Sequence, residues 1–167
     1  MIVKTVVYPR FTVILIAMDQ IDKQIAALVQ ADARLSSAQI GAQTGLSVSA
    51  AGERLRRLGA SGVITGWRAV IDPVAVDLRL CAFVLVDVKY DGETEAKLAI
   101  AALPEVQEIH HISGAHSYLV KIRVTDTAAL QQLLQDKIKP LGAVIRTESL
   151  IVLETVKETS EIAIAKE

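Results

Sequence analysis

Residues 44–58, Thr44-Gly45-Leu46-Ser47-Val48-Ser49-Ala50-Ala51-Gly52-Glu53-Arg54-Leu55-Arg56-Arg57-Leu58, carry the pattern on which the reading of the fold turns. Gly45 permits a tight turn and Ser47 can cap a helix. Val48, Ala51, Leu55 and Leu58 then step by three, four and three along one apolar stripe. At about 100° per residue, Ser49, Ala50, Glu53, Arg56 and Arg57 point away from that stripe, with Arg54 on its flank. Gly52 within the helix costs about 1 kcal/mol relative to alanine, which close packing or local flexibility would explain.

Working outward, Ile21, Ile25, Leu28 and Val29 paint one face of an earlier helix that starts near Asp22. Ser36, three residues before Gln39, has the form of a capping box for a short second helix ending near Thr44. After Gly62, the segment Val63-Ile64-Thr65-Gly66-Trp67-Arg68-Ala69-Val70 has strand-forming residues around a glycine and is expected to make a small hairpin, or wing. Three short helices with a glycine turn between the second and third, followed by a wing, describe a winged helix-turn-helix over residues 18–72.

Asp72-Pro73 punctuates the chain, and beyond it the periods change. Strands are expected at Ala82 to Val88, Val106 to Ile112, Tyr118 to Val124 and Val144 to Val156. Helices are expected from Glu93 to Leu103 and from Thr127, where Leu130, Leu133, Leu134 and Ile138 share one side. Strand, helix, strand, strand, helix, strand is a ferredoxin-like βαββαβ domain over residues 73–167, with one sheet face left to bury elsewhere. The fold class is therefore α+β. Residues 1–17 form an apolar arm or extended start. Within it, Phe11 to Met18 is far short of the ~20 residues needed to span a bilayer, and Thr12 to Ile16 alternates as a strand would.

Composition excludes several classes of function. The 167 residues are 51% hydrophobic and 22% charged, enough for a real core, and 4% aromatic, so that core is mainly aliphatic. A net charge of -1 excludes nucleic-acid binding by bulk positive charge. The charge is nonetheless divided, with +1 over residues 18–72 and -4 over 73–167, and the basic residues of the first part gather near its third helix. The lone Cys81, expected as a small buried residue, fits a cytoplasmic location without disulfides. No paired carboxylates, activated nucleophile or phosphate-cradling glycine loop stands out, so no catalytic residue is expected.

A recognition helix needs small or polar side chains toward base edges in its early turns and cations for phosphates nearby. Ser47, Ser49, Ala50 and Glu53 fit the first role; Arg54, Arg56 and Arg57, with Arg68 from the wing, fit the second. The alternative is an ordinary solvated helix face on a bundle. In that case the protein is a small-molecule sensor or corepressor whose DNA-binding half is inactive. The histidines invite a metal reading. His110 and His111 point to opposite faces of a strand, however, and a convergence of His110 with His116 across a turn has no cysteine or carboxylate to complete it. No metal or cofactor is expected. Lys121 and Arg123 share a strand face with Leu119, either solvated or meeting the acidic surface of a neighbouring dimer.

The sequence resembles the Lrp/AsnC (feast/famine) transcription regulators. In the first domain the resemblance rests on Met18 to Ile25, Asp32-Ala33-Arg34-Leu35-Ser36, Thr44 to Ser49, Arg54-Leu55-Arg56-Arg57-Leu58 and Gly62 to Trp67. It continues through Ala69 to Pro73, Leu103-Pro104-Glu105-Val106, Ile112-Ser113-Gly114, Tyr118 to Ile122, and Arg146-Thr147 with Val156-Lys157, covering about residues 18 to 157. The resemblance implies a homodimer assembled through the second domain, often built into tetramers or octamers. It also implies binding to pseudo-palindromic double-stranded DNA and control of amino-acid or nitrogen metabolism. A small-molecule effector, an amino acid or a related compound, would bind near the turn after the second strand of that domain, which nominates Gly114, His116, Ser117 and Tyr118. The family's turn has glycine, two variable residues, aspartate and an aromatic. Here Ser117 stands at the aspartate, able to hydrogen-bond but unable to pair an ammonium group. Gly59 replaces the family's glutamate after the recognition-helix leucine, and Trp67 its wing tyrosine.

Overall fold

The computed structural model describes the backbone of residues 4–8 and 11–15, and residues 18–164 in full. Of the expected arm, Lys4–Tyr8 (β1) and Phe11–Leu15 (β2) pair antiparallel, with Val6 opposite Val13. The rest of it lies outside the described residues. The chain divides into two units, residues 1–70 with 159–167, and residues 71–158.

In the first unit, Asp19 caps helix α1 (Gln20–Ala31) by accepting from the Asp22 N–H at 2.8 Å. Helix α2 (Ser37–Thr44) opens with the full capping box. Ser36 Oγ accepts from the Gln39 N–H, and Gln39 Oε1 accepts from the Ser36 N–H. Ser47 caps helix α3 (Val48–Ala60) through the Ala50 N–H at 3.2 Å. Between α2 and α3 the turn is tight: a Cβ on Gly41 would stand 2.6 Å from the Leu46 carbonyl oxygen. Ile25, Val29, Ile40, Ala51 and Leu58 form the buried core, joined by Leu35, Leu46, Leu55, Val63 and Ile64. Gly52 faces α2, where a Cβ would lie 3.1 Å from Ser37 Oγ, so the helix-interior glycine reflects close packing.

Two expectations for this unit are corrected. Val48, placed on the buried stripe, is 57% exposed. Side chains tilt toward a helix's N-terminus, so one at the first position reaches beyond the packed stretch. The hairpin expected over Val63 to Val70 is also absent. Val63 and Ile64 are drawn into the helical core, and Ile64 donates to the Leu58 carbonyl. Residues 65–70 then run on without a ladder partner among the described residues, so no second strand returns.

The second unit opens with a 3₁₀ turn, Val74–Val76, and continues β3 (Leu80–Val88), α4 (Glu93–Ala101), β4 (Val106–His111), β5 (Tyr118–Val124), α5 (Thr127–Leu133) and β6 (Val144–Ile151). Helix α5 runs into a π-helical turn, Leu134–Ile138, in which Lys139 donates to the Leu134 carbonyl. All pairings are antiparallel in the order β4-β5-β3-β6, the βαββαβ arrangement expected from the sequence. Ala82, Val84, Val86, Val120 and Ile122 pack with Ile100, Leu130, Leu133 and Ile138 on the helix-covered face. Phe83, Leu85, Leu119 and Leu150 alternate onto the other face. Strand β6 stops five residues before the expected Val156. Its partner β3 begins at Leu80, and Val152 makes the last bond, to the Cys81 carbonyl.

Candidate nucleic-acid interface and sensing turn

The arginines of α3 are divided by the acidic residues of α1. Asp22 is 4% exposed and accepts from Arg54 at 2.9 Å and from Arg57 through both oxygens, at 2.9 and 2.8 Å. Arg54 also reaches Asp19 Oδ2 at 2.5 Å. That contact, reinforced by the Asp22 N–H, holds the Asp19 carboxyl below the ordinary carboxylate range. Arg54 is mostly covered, whereas the Arg57 side chain stays 46% exposed. Arg56 lies on the outer face, paired to Glu53 one turn earlier, and Arg68 is exposed on the extended segment. The three helix arginines expected as phosphate contacts thus differ: Arg54 is turned inward, Arg57 is shared between α1 and solvent, and Arg56 is outward. Ser47 and Ser49 are exposed, but their hydroxyls lie 3.1 Å from each other, and Ser47 is also occupied as the cap.

At the turn between β4 and β5, Gly114 adopts φ 120°, a backbone conformation that side chains disfavour. Ser117 Oγ accepts from the Val88 N–H at 3.3 Å, next to the irregular register between Asp87 and Val88 in the pairing of β3 with β6. His116 Nδ1 sits 3.0 Å from Asp87 Oδ1, so a half-buried carboxylate does stand at this turn, supplied from β3. Tyr118 is buried. Its hydroxyl donates to Glu93 Oε1 at 2.6 Å, and burial, with the Glu93 carboxylate second, pushes its pKa to about 12.

The three histidines have three separate settings. His110 lies beside Glu108, His111 stacks on Tyr118 with ring centroids 5.0 Å apart, and His116 faces Asp87. Lys121 and Arg123 are largely covered rather than solvated: both pair with Glu158 of the segment after β6, and Lys121 also with Glu108. Cys81 is buried. Asp19, Asp22, Asp87, Glu93 and Glu158 escaped the sequence reading because their partners lie far away in the chain. Only the acid-rich start of α1 opposite a basic α3 hinted at the first two.

Two family models divide the chain between them: the AsnC-type helix-turn-helix domain over residues 18–58 and the Lrp/AsnC ligand-binding domain over residues 81–162. The chain belongs to the Lrp/AsnC family of transcriptional regulators. It is 38% identical over 149 residues to the HTH-type transcriptional regulator FL11 of Pyrococcus horikoshii, covering 89% of this chain and 98% of that protein. It is 34% identical over 150 residues to the leucine-responsive regulatory protein of Escherichia coli, covering 88% and 92%. Among solved structures, a transcriptional regulator of Neisseria meningitidis in complex with L-methionine superposes with a TM-score of 0.84 at 26% identity, over 88% of this chain and 97% of that one. A feast or famine regulatory protein of M. tuberculosis, also complexed with L-methionine, gives 0.83 at 34% identity, over 89% and 100%. This Lrp/AsnC chain is thus a transcriptional regulator with a helix-turn-helix DNA-binding domain, of a non-enzymatic family. Among its described residues no helix is long and apolar enough to cross a membrane.

Proposed function

We propose that this regulator binds pseudo-palindromic operators as a cytoplasmic homo-oligomer and responds to an amino acid or a close relative of one, acting on genes of amino-acid or nitrogen metabolism. The observation that carries the DNA half is the bracing of α3 by Asp22. Two ion pairs hold the helix against α1 while its outer face stays open, which suits an element that must enter a groove as a rigid body. In this reading Arg56, Arg68 and the open edge of Arg57 meet phosphates, Arg54 positions the helix, and Ser47, Ser49, Ala50 and Glu53 lie along the base edges. The sheet face opposite the helices, where Phe83, Leu85 and Leu119 are half-buried, serves for dimerisation.

The sensing reading rests on the solved relatives that hold L-methionine and on the polar groups gathered at Gly114, His116, Ser117 and Tyr118. The test is fluorescence anisotropy of the full chain against its own upstream DNA and a scrambled duplex at several salt concentrations, repeated with each amino acid. Preference for the native fragment, a negative salt slope and a shift with at least one amino acid are expected. Equal weak binding to both duplexes overturns the operator reading. Affinities unmoved by every amino acid, together with flat calorimetry, overturn the effector reading.

A further inference from the structure

We propose that Val48 reads a thymine in each operator half-site, its isopropyl group contacting the 5-methyl in the major groove. The inference rests on the DNA-binding reading above and adds the residue that carries specificity. Three observations support it. Val48 is the first residue of α3, the end of a recognition helix that faces base edges, and it has no place in the core of its unit. An aliphatic side chain 57% exposed at that position leaves most of its surface outside the core, and a β-branched residue is not a favoured helix former. The polar groups around it are engaged: Ser47 Oγ accepts the Ala50 N–H and lies 3.1 Å from Ser49 Oγ, and Glu53 is paired with Arg56. Beside these partly engaged polar groups, what Val48 adds to this end of α3 is apolar surface, and the thymine methyl is the apolar group on the major-groove base edges that such a surface fits.

The test first selects a preferred duplex from a random library with the full chain. Each thymine of that duplex is then replaced singly by deoxyuridine, which deletes only the methyl. We expect one replacement per half-site to weaken binding about three- to tenfold, the scale of one or two buried methyl groups. Val48→Ala should weaken the parent duplex by a similar factor and become indifferent to that replacement. Val48→Thr, which keeps one methyl, should restore part of the sensitivity, with circular dichroism melts showing both variants folded. A full deoxyuridine penalty that persists in Val48→Ala, or a parent duplex in which no thymine methyl matters, overturns the proposal. A selection that enriches no sequence fails earlier and overturns the DNA-binding reading itself.

Discussion

Arg57 grips the buried carboxylate of Asp22 through one guanidinium nitrogen, at 2.9 and 2.8 Å from its two oxygens, while just under half of the side chain stays open to solvent. A single residue therefore ties α3 to α1 and keeps a charged edge outside. Removing the buried partner takes the acceptor from Arg57 and leaves Arg54 with Asp19. Asp22→Ala is expected to destabilise the first unit by about 2–4 kcal/mol, and Arg57→Ala by about 1 kcal/mol because Arg54 still covers Asp22. Urea unfolding followed by circular dichroism measures both, and equal losses would contradict the shared-acceptor arrangement.

The acid limb of stability should involve Asp19. Its carboxyl is held low by Arg54 and by the Asp22 N–H, so the stabilisation it contributes is present above about pH 4 and is lost as pH falls through the depressed value. Denaturation midpoints between pH 6 and pH 2 should fall less steeply in Arg54→Ala than in the parent. Parallel curves would remove Asp19 from the acid response.

At alkaline pH the sign reverses onto Tyr118. Its phenol is raised to about 12 in the folded chain against about 10 when unfolded, so its stabilising share is complete below pH 10 and lost as pH rises toward 12. Tyr118→Phe should lower stability by about 1 kcal/mol at pH 8 through the lost bond to Glu93, yet flatten the alkaline decline. A difference titration of tyrosinate absorbance locates the group, and loss of a phenol titrating near 10 would exclude this reading.

The outward cations make a separate prediction in salt. Arg56→Ala and Arg57→Ala should each weaken binding to every duplex and flatten the slope of log affinity against log salt by about one unit. A loss confined to one base position would reassign the residue concerned to base readout. Arg54→Ala, by contrast, should act through stability and leave the slope within error.

Ser117 offers a test at the sensing turn. Its hydroxyl meets the Val88 N–H, and an aspartate at the same position could keep that bond while adding charge beside Asp87. Ser117→Asp is expected to move the response toward free amino acids by supplying a partner for an ammonium group. Calorimetry that detects no amino acid before or after the change would dismiss it.

Local chemistry made much of this molecule legible in the chain itself. Ser36 with Gln39, Ser47 before Val48, and the apolar spacings of α1, α3 and α5 specify where helices begin and which face they bury, because caps and stripes act within a few residues. Period-two runs such as Tyr118 to Val124 specify strands for the same reason. Tertiary structure alone decided what depends on a distant partner. It placed Asp22 beneath two arginines, took Val63 and Ile64 into a helical core instead of a hairpin, and set Asp87 against His116 across the pairing of β3 with β5. Whether a charged side chain is a strut or a hand held out to a ligand is settled by what stands opposite it. That neighbour is brought there by folding, not by sequence spacing.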